Sequence, residues 1–467
     1  GFNGPRASST IFSLGYYNQD SISAADREIS RYPKPGTGVT RGSSATPQGR
    51  FRFCDTMQTP ACDPATDYLS LALNDLTGTP VYDRTSPTAP PSTYHPFGDN
   101  DRFNFAPYNY VLTPNERMSA FIAHSMDLTD DVRFSTKLLY NHRESQNQAA
   151  PEPIFIGGDA GTGGLADSIS VPANHPYNPF GIDLIAGQNL SLIGRRPLEA
   201  GPRIFDQTVD TFYVSSTFNG MFDFAQRAFS WDANAVYSDN RAKQDFKNGF
   251  NLRRLQQALG DPTACAGIAG CVPLNIFGGQ GADGRGTITQ DMLNFVRIDT
   301  QDKSDNQLAL LSANITGEIM PLPAGPLAFA SGYEFRRYEG SFTPDVARST
   351  GESQDSFAIP TAGSYNVHEI YTELSIPVLT DAYLAQSLDL SAALRYSRYS
   401  TFGGQTTGKM GVKWRPIGDL VLRGTYAQGF RAPFIGELFG LTQFGADITD
   451  PCSNSDGTDR EANCRAL

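Results

Sequence analysis

The stretch LRGTYAQGFRAPFIGELFG, residues 422–440, starts as a strand with two chemically different faces and then stops being a strand. Side chains alternate across a strand, so Leu422 and Phe430 share an apolar face, whereas Arg423 and Arg431 share the opposite face. The proline that follows lacks a backbone donor, so strand pairing is predicted to end there. This long strand needs an apolar environment on one side and water or a polar partner on the other.

The same period-2 alternation recurs along the whole chain. In LDLSAALRYS, Leu388, Leu390 and Leu394 oppose Asp389 and Arg395, which is the pattern of a strand between two different environments. About eleven such segments are predicted. They lie near residues 8–19, 115–128, 132–147, 205–221, 226–243, 303–318, 326–341, 364–378, 386–401, 405–416 and 420–431.

The connections between these segments alternate between short turns and mostly long loops, the long ones spanning about 20–114, 148–204, 244–302 and 342–363. A sheet with tight turns at one end and large loops at the other is typical of an outer-membrane β-barrel. A soluble β-sandwich or propeller also has alternating strands. Segments of about 12 to 18 residues favour the membrane barrel, because soluble strands usually have 5 or 6.

Composition narrows the functional class further. The net charge of −12 over 467 residues argues against a nucleic-acid-binding surface. No apolar run approaches the ~18 residues of a membrane helix. The N-terminal stretch GFNGPRASSTIFSLGYY does not have the pattern of a signal peptide.

The six cysteines form three local pairs, each in a stretch rich in Gly, Pro or Asp. Such spacing predicts three disulfide-closed loops and an oxidising compartment. Free thiols or a metal site are the alternatives, but the chain has no CxxC and its five histidines are scattered, so no metal ligands are assigned. The predicted pairs are Cys54 with Cys62, Cys265 with Cys271, and Cys452 with Cys464.

Motifs for catalysis are absent from the sequence, which contains no GxSxG, HExxH or P-loop. A hydrolase embedded in a barrel would need a nucleophile next to a histidine. The strand histidines His124, His142 and His368 have no evident partner in the sequence. We therefore expect neither an enzyme nor a cofactor.

Several stretches taken together resemble the TonB-dependent outer-membrane receptors. The Phe-Arg-Ala-Pro of residues 430–433 followed by Glu-Leu-Phe is similar to a motif at the end of a mid-barrel strand in that family. The other similar stretches are HPYNPFG (175–181), CVPLNIFGG (271–279), GYEFRRYEGSFTPD (332–345), HEIYTELSIPVL (368–379) and DPCS (450–453).

This resemblance implies an all-β, antiparallel transmembrane barrel with long extracellular loops. Residues 1–435 correspond to part of the barrel, and residues 436–467 to the start of an extracellular disulfide loop. The N-terminal plug, the TonB-contacting box and the barrel-closing strands of the family are not recognised. A plugged transporter barrel has ~22 strands, so we expect an incomplete barrel of about eleven, with two unpaired sheet edges.

The resemblance also implies TonB-energised uptake of a scarce solute such as an iron chelate, cobalamin, an oligosaccharide or a peptide. A passive porin or a surface adhesin on a similar barrel is the alternative. The implied partners are outer-membrane lipid, the solute and the TonB complex, which would act through the plug; the ligand-binding residues stay unassigned. The residues expected to face the lumen are Arg395, Arg423, Arg431, Glu369, Glu373 and Asp389.

Overall fold

The computed structural model describes residues 2–4, 7–34, 42–59, 62–63, 66–75, 79–161, 164–278, 286–355 and 357–440. The strands in chain order are β1 (Phe2–Gly4), β2 (Ser8–Gln19), β3 (Ile22–Ser23), β4 (Arg50–Phe53), β5 (Leu69–Leu73), β6 (Tyr94–Pro96), β7 (Tyr110–Leu112), β8 (Asn115–Asp127), β9 (Val132–Ala149), β10 (Ile154–Ile156), β11 (Leu190–Arg195), β12 (Arg203–Phe224), β13 (Arg227–Phe250), β14 (Arg297–Leu322), β15 (Gly325–Thr343), β16 (Thr361–Ala382), β17 (Ala385–Tyr399), β18 (Gly403–Ile417) and β19 (Leu420–Ala427). The α-helices are α1 (Leu252–Leu259), α2 (Pro262–Ala266), α3 (Gln290–Val296), α4 (Val346–Ser349) and α5 (Ile435–Phe439).

Twelve strands form one large antiparallel sheet, in the order β1-β2-β8-β9-β12-β13-β14-β15-β16-β17-β18-β19. Long strands that are consecutive along the chain pair with each other, as expected for an up-and-down barrel wall. In the described chain, β1 and β19 do not pair with each other, so the sheet is open. Eleven long strands match the eleven predicted segments; the three-residue β1 was not predicted. The last strand ends at Ala427 rather than near residue 431.

The two faces of this sheet differ as the alternation predicts. Residues paired directly across neighbouring strands lie on the same face, and on one face these residues are large, apolar and exposed. Leu394 is 59% exposed, and Met410 and Tyr426 are each 69% exposed. None of the helices in the described ranges is long and apolar enough to cross a membrane.

Tight turns join the strands at one end of the large sheet. Between β12 and β13 the turn residues Ala225 and Gln226 have φ of 52° and 61°, the left-handed values of a two-residue hairpin turn whose twist suits the flanking strands. This end carries the short turns predicted from the sequence, and the opposite end carries the long connections.

The long connections are not extended loops, because three of them fold together around a shared hydrophobic core. This loop core contains a five-stranded sheet in the order β10-β11-β4-β5-β6. Helices α1 and α3 add Leu255 and Leu293 to the same buried cluster. Most fully buried large side chains of the described chain lie here rather than in the large sheet.

Two turns of the same design insert a phenylalanine each into the loop core. In the first, Asn178 Oδ1 accepts a hydrogen bond from the backbone N–H of Phe180 at 3.0 Å. In the second, Asn275 Oδ1 accepts one from Phe277 at 3.2 Å. The two rings lie 6.1 Å apart, and each packs on Phe51, at 5.6 and 5.8 Å. The stretches HPYNPFG and CVPLNIFGG therefore hold the three connections together.

Disulfides close two short loops within this region. Cys54 is bonded to Cys62, and Cys265 to Cys271, as predicted. The third predicted pair, Cys452 with Cys464, lies outside the described residues.

One buried ion pair and neighbouring hydrogen bonds fix the connections to one another. The carboxylate of Glu199 pairs with the fully buried Arg195 at 2.9 Å and accepts a hydrogen bond from the backbone of Thr287 at 3.1 Å. Arg196 donates to Ser43 Oγ at 2.9 Å, and its burial lowers its pKa to about 10. These contacts join the connections before β8, before β12 and before β14.

Candidate functional site on the polar face of the sheet

The most extensive group of interacting charges on the polar face of the sheet is centred on Glu369 of β16. The pairing of β15, β16 and β17 places Glu334 and Ser397 directly beside Glu369, one on each side. Arg336 and Arg395 are each two residues further along their strands, so their side chains lie on the same face. The register of three strands therefore gathers two arginines around one carboxylate.

Glu369 is 4% exposed, and its ion-pair and hydrogen-bond partners are Arg336, Arg395 and Ser397. Its Oε2 lies 2.7 Å from Arg336 Nη2 and 3.1 Å from Arg395 Nη1, and its Oε1 accepts a hydrogen bond from Ser397 at 2.6 Å. Arg336 also pairs with Glu334 at 2.8 Å. A carboxylate buried this deeply requires such partners, because an unpaired buried charge is strongly destabilising.

A second polar group continues from this one through Tyr371. The guanidinium of Arg395 lies over the Tyr371 ring, 5.1 Å from its centroid. The Tyr371 hydroxyl donates to Asn314 Oδ1 on β14 at 2.9 Å, reaching across β15. This reach is possible because residue 332, which lies between them, is glycine: a Cβ there would lie 2.2 Å from Asn314 Oδ1 and 2.6 Å from the Tyr371 ring.

From Asn314 the hydrogen bonds extend across two more strands. Asn314 Nδ2 donates to Asp232 Oδ2 at 2.7 Å, and Asn234 Nδ2 also donates to that oxygen. Thr217 of β12 donates to Asn234 Oδ1 at 2.7 Å. The polar face therefore carries one connected set of side chains running from β12 to β17.

Three tyrosines lie beside the ion pairs, closer to the long connections. Tyr338, Tyr365 and Tyr399 come from β15, β16 and β17, and their ring centroids are 5.1 Å apart for Tyr338 and Tyr365 and 6.4 Å apart for Tyr365 and Tyr399. The Arg336 guanidinium lies 5.9 Å from the Tyr338 centroid. We call these three tyrosines and Val367 the aromatic seat, since they share one buried cluster with the segment described next.

The segment after β19 folds back onto this polar face. Residues 429–440, here called the strap, include α5, which packs against β16. Gly340 and Gly363 are a directly paired couple on β15 and β16. A Cβ at 363 would lie 2.1 Å from the Phe439 ring, and a Cβ at 340 would lie 3.0 Å from Ile435. These two glycines provide the space that the strap occupies.

Arg431 and Glu437 form a two-bond ion pair inside the strap. Arg431 Nη1 and Nη2 each donate to a different carboxylate oxygen of Glu437 at 2.8 Å. Glu437 Oε2 also accepts from the backbone N–H of Phe434 at 3.1 Å. The hydrogen bonds lower the pKa of the Glu437 carboxyl and raise that of Arg431.

The structure separates the six residues predicted to face the lumen into three groups. Glu369 and Arg395 meet in the ion-pair group. Glu373, Asp389 and Arg423 share their face, with Lys413 directly opposite both Asp389 and Arg423. In the described chain, these three take part in no ion pair within 4.0 Å. Arg431 lies beyond the end of β19, in the strap.

Arg336, Tyr371 and the strap contacts were missed by the sequence analysis. The stretch GYEFRRYEGSFTPD contains Glu334, Arg336, Tyr338 and Gly340 at alternate positions, so its period-2 pattern already placed them on one face. The pattern does not show which charges meet, because the partners are on other strands.

The expectation that the strand histidines have no partner is wrong. His124 is 2.8 Å from Thr10 Oγ1, His142 Nδ1 is 2.8 Å from Asp210 Oδ1, and His368 Nδ1 is 2.7 Å from the Tyr333 hydroxyl. Each partner lies on a neighbouring strand, so the sequence does not reveal it. The second nitrogen of His142 faces Glu144 at 3.3 Å rather than a hydroxyl nucleophile.

Within the described ranges, no group of three or more His, Cys, Asp or Glu side chains is arranged to hold a metal ion. The polar face is therefore described by its ion pairs, amides and tyrosines.

Comparison with known families supports the assignment of the large two-faced sheet to a barrel wall. The model of the family described as "TonB dependent receptor-like, beta-barrel" matches residues 156–459. The chain belongs to this family. The predicted resemblance is thereby confirmed, and the TonB-dependent receptor barrel is a bacterial outer-membrane structure. Outer-membrane barrels in general place their apolar face toward lipid and their polar face toward the lumen.

Two solved structures have a weak overall similarity to this chain. The RagAB peptide importer in the closed-closed state has 13% identity and a TM-score of 0.32, over 66% of this chain and 31% of its own. The open form of the ferric-catecholate import receptor Fiu from E. coli K12 has 11% identity and a TM-score of 0.29, over 90% of this chain and 64% of its own. The receptor chain thus spans less than two thirds of the solved chains it matches. No curated protein sequence matches it.

Proposed function

We propose that this chain forms the wall of an outer-membrane receptor that takes up a scarce solute with energy delivered through TonB. The observation that carries the proposal is the connected set of lumenal side chains from β12 to β17, on a wall belonging to the TonB-dependent receptor family. Such a lining presents polar and charged side chains around the inner side of the barrel wall, whereas the opposite face meets lipid.

The charged and amide groups of this lining are engaged with one another rather than arranged for bond cleavage. Glu369 is neutralised by Arg336 and Arg395, and Asp232 accepts two amide donors, so these carboxylates are held as structural acceptors. The proposed partners are the solute, outer-membrane lipid and the TonB complex, which would act through a plug segment. The proposed solute is an iron chelate, cobalamin, an oligosaccharide or a peptide.

Uptake measurements in the parent bacterium test this proposal. The gene encoding the chain is deleted, and uptake of ferric chelates, cobalamin, oligosaccharides and peptides is compared with that of the wild type and of a strain without TonB. We expect uptake of one solute class to be lost both in the deletion strain and in the strain without TonB. The complementing gene should restore this uptake in the deletion strain. Uptake that needs this gene and persists without TonB would instead indicate a passive pore. Surface attachment lost with no change in uptake would indicate an adhesin.

A further inference from the structure

The strap is attached to the sheet mainly by apolar contacts. Within the described chain, the hydrogen bonds of residues 429–440 stay inside the strap; the last hydrogen bond to the sheet is from Gln428 N–H to Gly408 O at 2.9 Å. Ala432, Ile435 and Leu438 pack against the aromatic seat. Apolar contacts are not directional, so the strap can leave as a unit without breaking backbone pairing.

The aromatic seat is buried although it lies on the polar face of the sheet, which a fixed barrel wall does not require. Tyr365 and Tyr399 are each 8% exposed and Val367 is 1% exposed, even though all three are on the lumenal face. Tyr399 also contacts Phe430 at the base of the strap, with ring centroids 5.9 Å apart. The strap therefore buries an aromatic surface that lies directly next to the Arg336–Glu369 ion pair.

The Arg431–Glu437 pair controls the shape of the strap. It joins Arg431, which lies in the strap between β19 and α5, to Glu437 of the helix that sits on Gly340 and Gly363. Arg431 is 73% exposed and Glu437 is 36% exposed, so solvent and solute charges reach this pair. An exposed pair of this kind is weak enough to be opened.

We infer that the strap is a gate over the aromatic seat. In the closed arrangement the strap occupies the seat, and the Arg431–Glu437 pair keeps α5 folded onto it. Opening the pair releases α5 and uncovers Tyr365, Val367 and Tyr399 on the lumenal face. The inference rests on the proposed function only in assigning the uncovered tyrosines to the solute path.

Thiol labelling tests the gate without solute or TonB. Val367→Cys places a reporter beneath the strap, and its rate of reaction with a water-soluble maleimide is measured in detergent, with labelling of the chain lacking this cysteine subtracted. We expect Glu437→Gln and Arg431→Gln each to raise the rate at least fivefold. The exchanged pair Arg431→Glu with Glu437→Arg should return the rate toward that of the parent. Glu339→Gln, which removes an exposed ion pair elsewhere on β15, is the matched control and should not change it.

Crosslinking gives a second measurement should Val367→Cys fail to fold. In the double variant Gly340→Cys with Ile435→Cys, oxidation is expected to join β15 to the strap by a disulfide. Glu437→Gln should lower the rate of this crosslinking by a factor similar to the one expected for labelling. Unchanged labelling and unchanged crosslinking in the Glu437 and Arg431 variants would overturn the gate and make the strap a fixed part of the wall. That result would leave the uptake proposal untouched, because neither measurement involves transport.

Discussion

Gly332 and Tyr371 are directly paired residues on neighbouring strands, and the tyrosine ring lies over the glycine so that its hydroxyl reaches Asn314 one strand further on. Gly332 is therefore required for this hydrogen bond across the polar face. It gives β16 a direct hydrogen bond to β14, which links the ion pairs on one side to the amides on the other.

Gly332→Ala is expected to break this link. Its methyl group would lie 2.2 Å from Asn314 Oδ1, so the Tyr371 ring must move, at a cost of about 1–3 kcal/mol of unfolding free energy. Urea unfolding in detergent measures the loss. Gly408→Ala is the matched control, because its nearest neighbour would be 3.7 Å away; equal losses at both glycines would contradict the crossing geometry.

Glu369→Gln removes the charge at the centre of the ion pairs. Arg336 and Arg395 then lose their shared carboxylate, and we expect a loss of about 2 kcal/mol, less than for a fully buried pair because the Arg395 side chain is 47% exposed. Glu339→Gln, whose pair with Arg337 is about half exposed, should stay within about 0.5 kcal/mol. Both are measured by the urea midpoint, and a larger effect at Glu339 would argue against the central role of Glu369.

Arginine substitution at adjacent residues of β17 tests the two faces. Leu390 is on the apolar face, so Leu390→Arg should weaken folding into lipid by about 2–4 kcal/mol if it lies near the midplane. Ser391 is on the polar face, so Ser391→Arg should have a small effect. Folding into vesicles, followed by gel mobility, measures both, and similar losses at the two positions would refute the face assignment.

The stability of the loop core is expected to fall in mild acid because of His175. This ring is buried, its Nε2 lies 3.1 Å from the carbonyl oxygen of Ala258, and burial lowers its pKa below the usual 6.5. The unfolded chain binds a proton near pH 6.5, whereas the folded core binds it only at lower pH. The stability that comes from burying neutral His175 is therefore fully present above about pH 6.5. It decreases as the pH falls toward the folded-state pKa.

Hydrogen exchange of peptides covering residues 172–182 and 252–277 measures this loss between pH 7.5 and 5.5, after correction for the intrinsic exchange rate. His175→Gln should flatten the dependence. A wild-type core whose protection is unchanged over this range would show that His175 is not the responsible group.

The large sheet could be predicted because the alternation that specifies each long strand lies within that strand. Each long strand carries its own alternation, and the long strands pair with their neighbours along the chain, so LDLSAALRYS alone assigns Leu390 and Asp389 to opposite faces. The loop core was not predictable in this way. Tyr68 donates to the carbonyl of Gln188, 120 residues away, and such contacts leave no periodic pattern.

The site on the polar face of the sheet could be predicted only in part. Alternation placed Glu369 and Arg395 on the polar face but did not show that Arg336 joins them, because pairing partners depend on strand register. The alternation predicted that the last strand runs to about residue 431. The chain leaves the sheet earlier, after Ala427, since the glycine pair on β15 and β16 provides a binding surface for α5.

The shared core of the three long connections has a consequence for any exchange of these connections in this chain. Phe51, Phe180 and Phe277 come from three separate insertions between strands and pack on one another, so exchanging any one insertion leaves the other two with a mismatched surface. Recombination and receptor engineering must therefore transfer the three insertions together, as a single cassette, to change the outer surface without unfolding it.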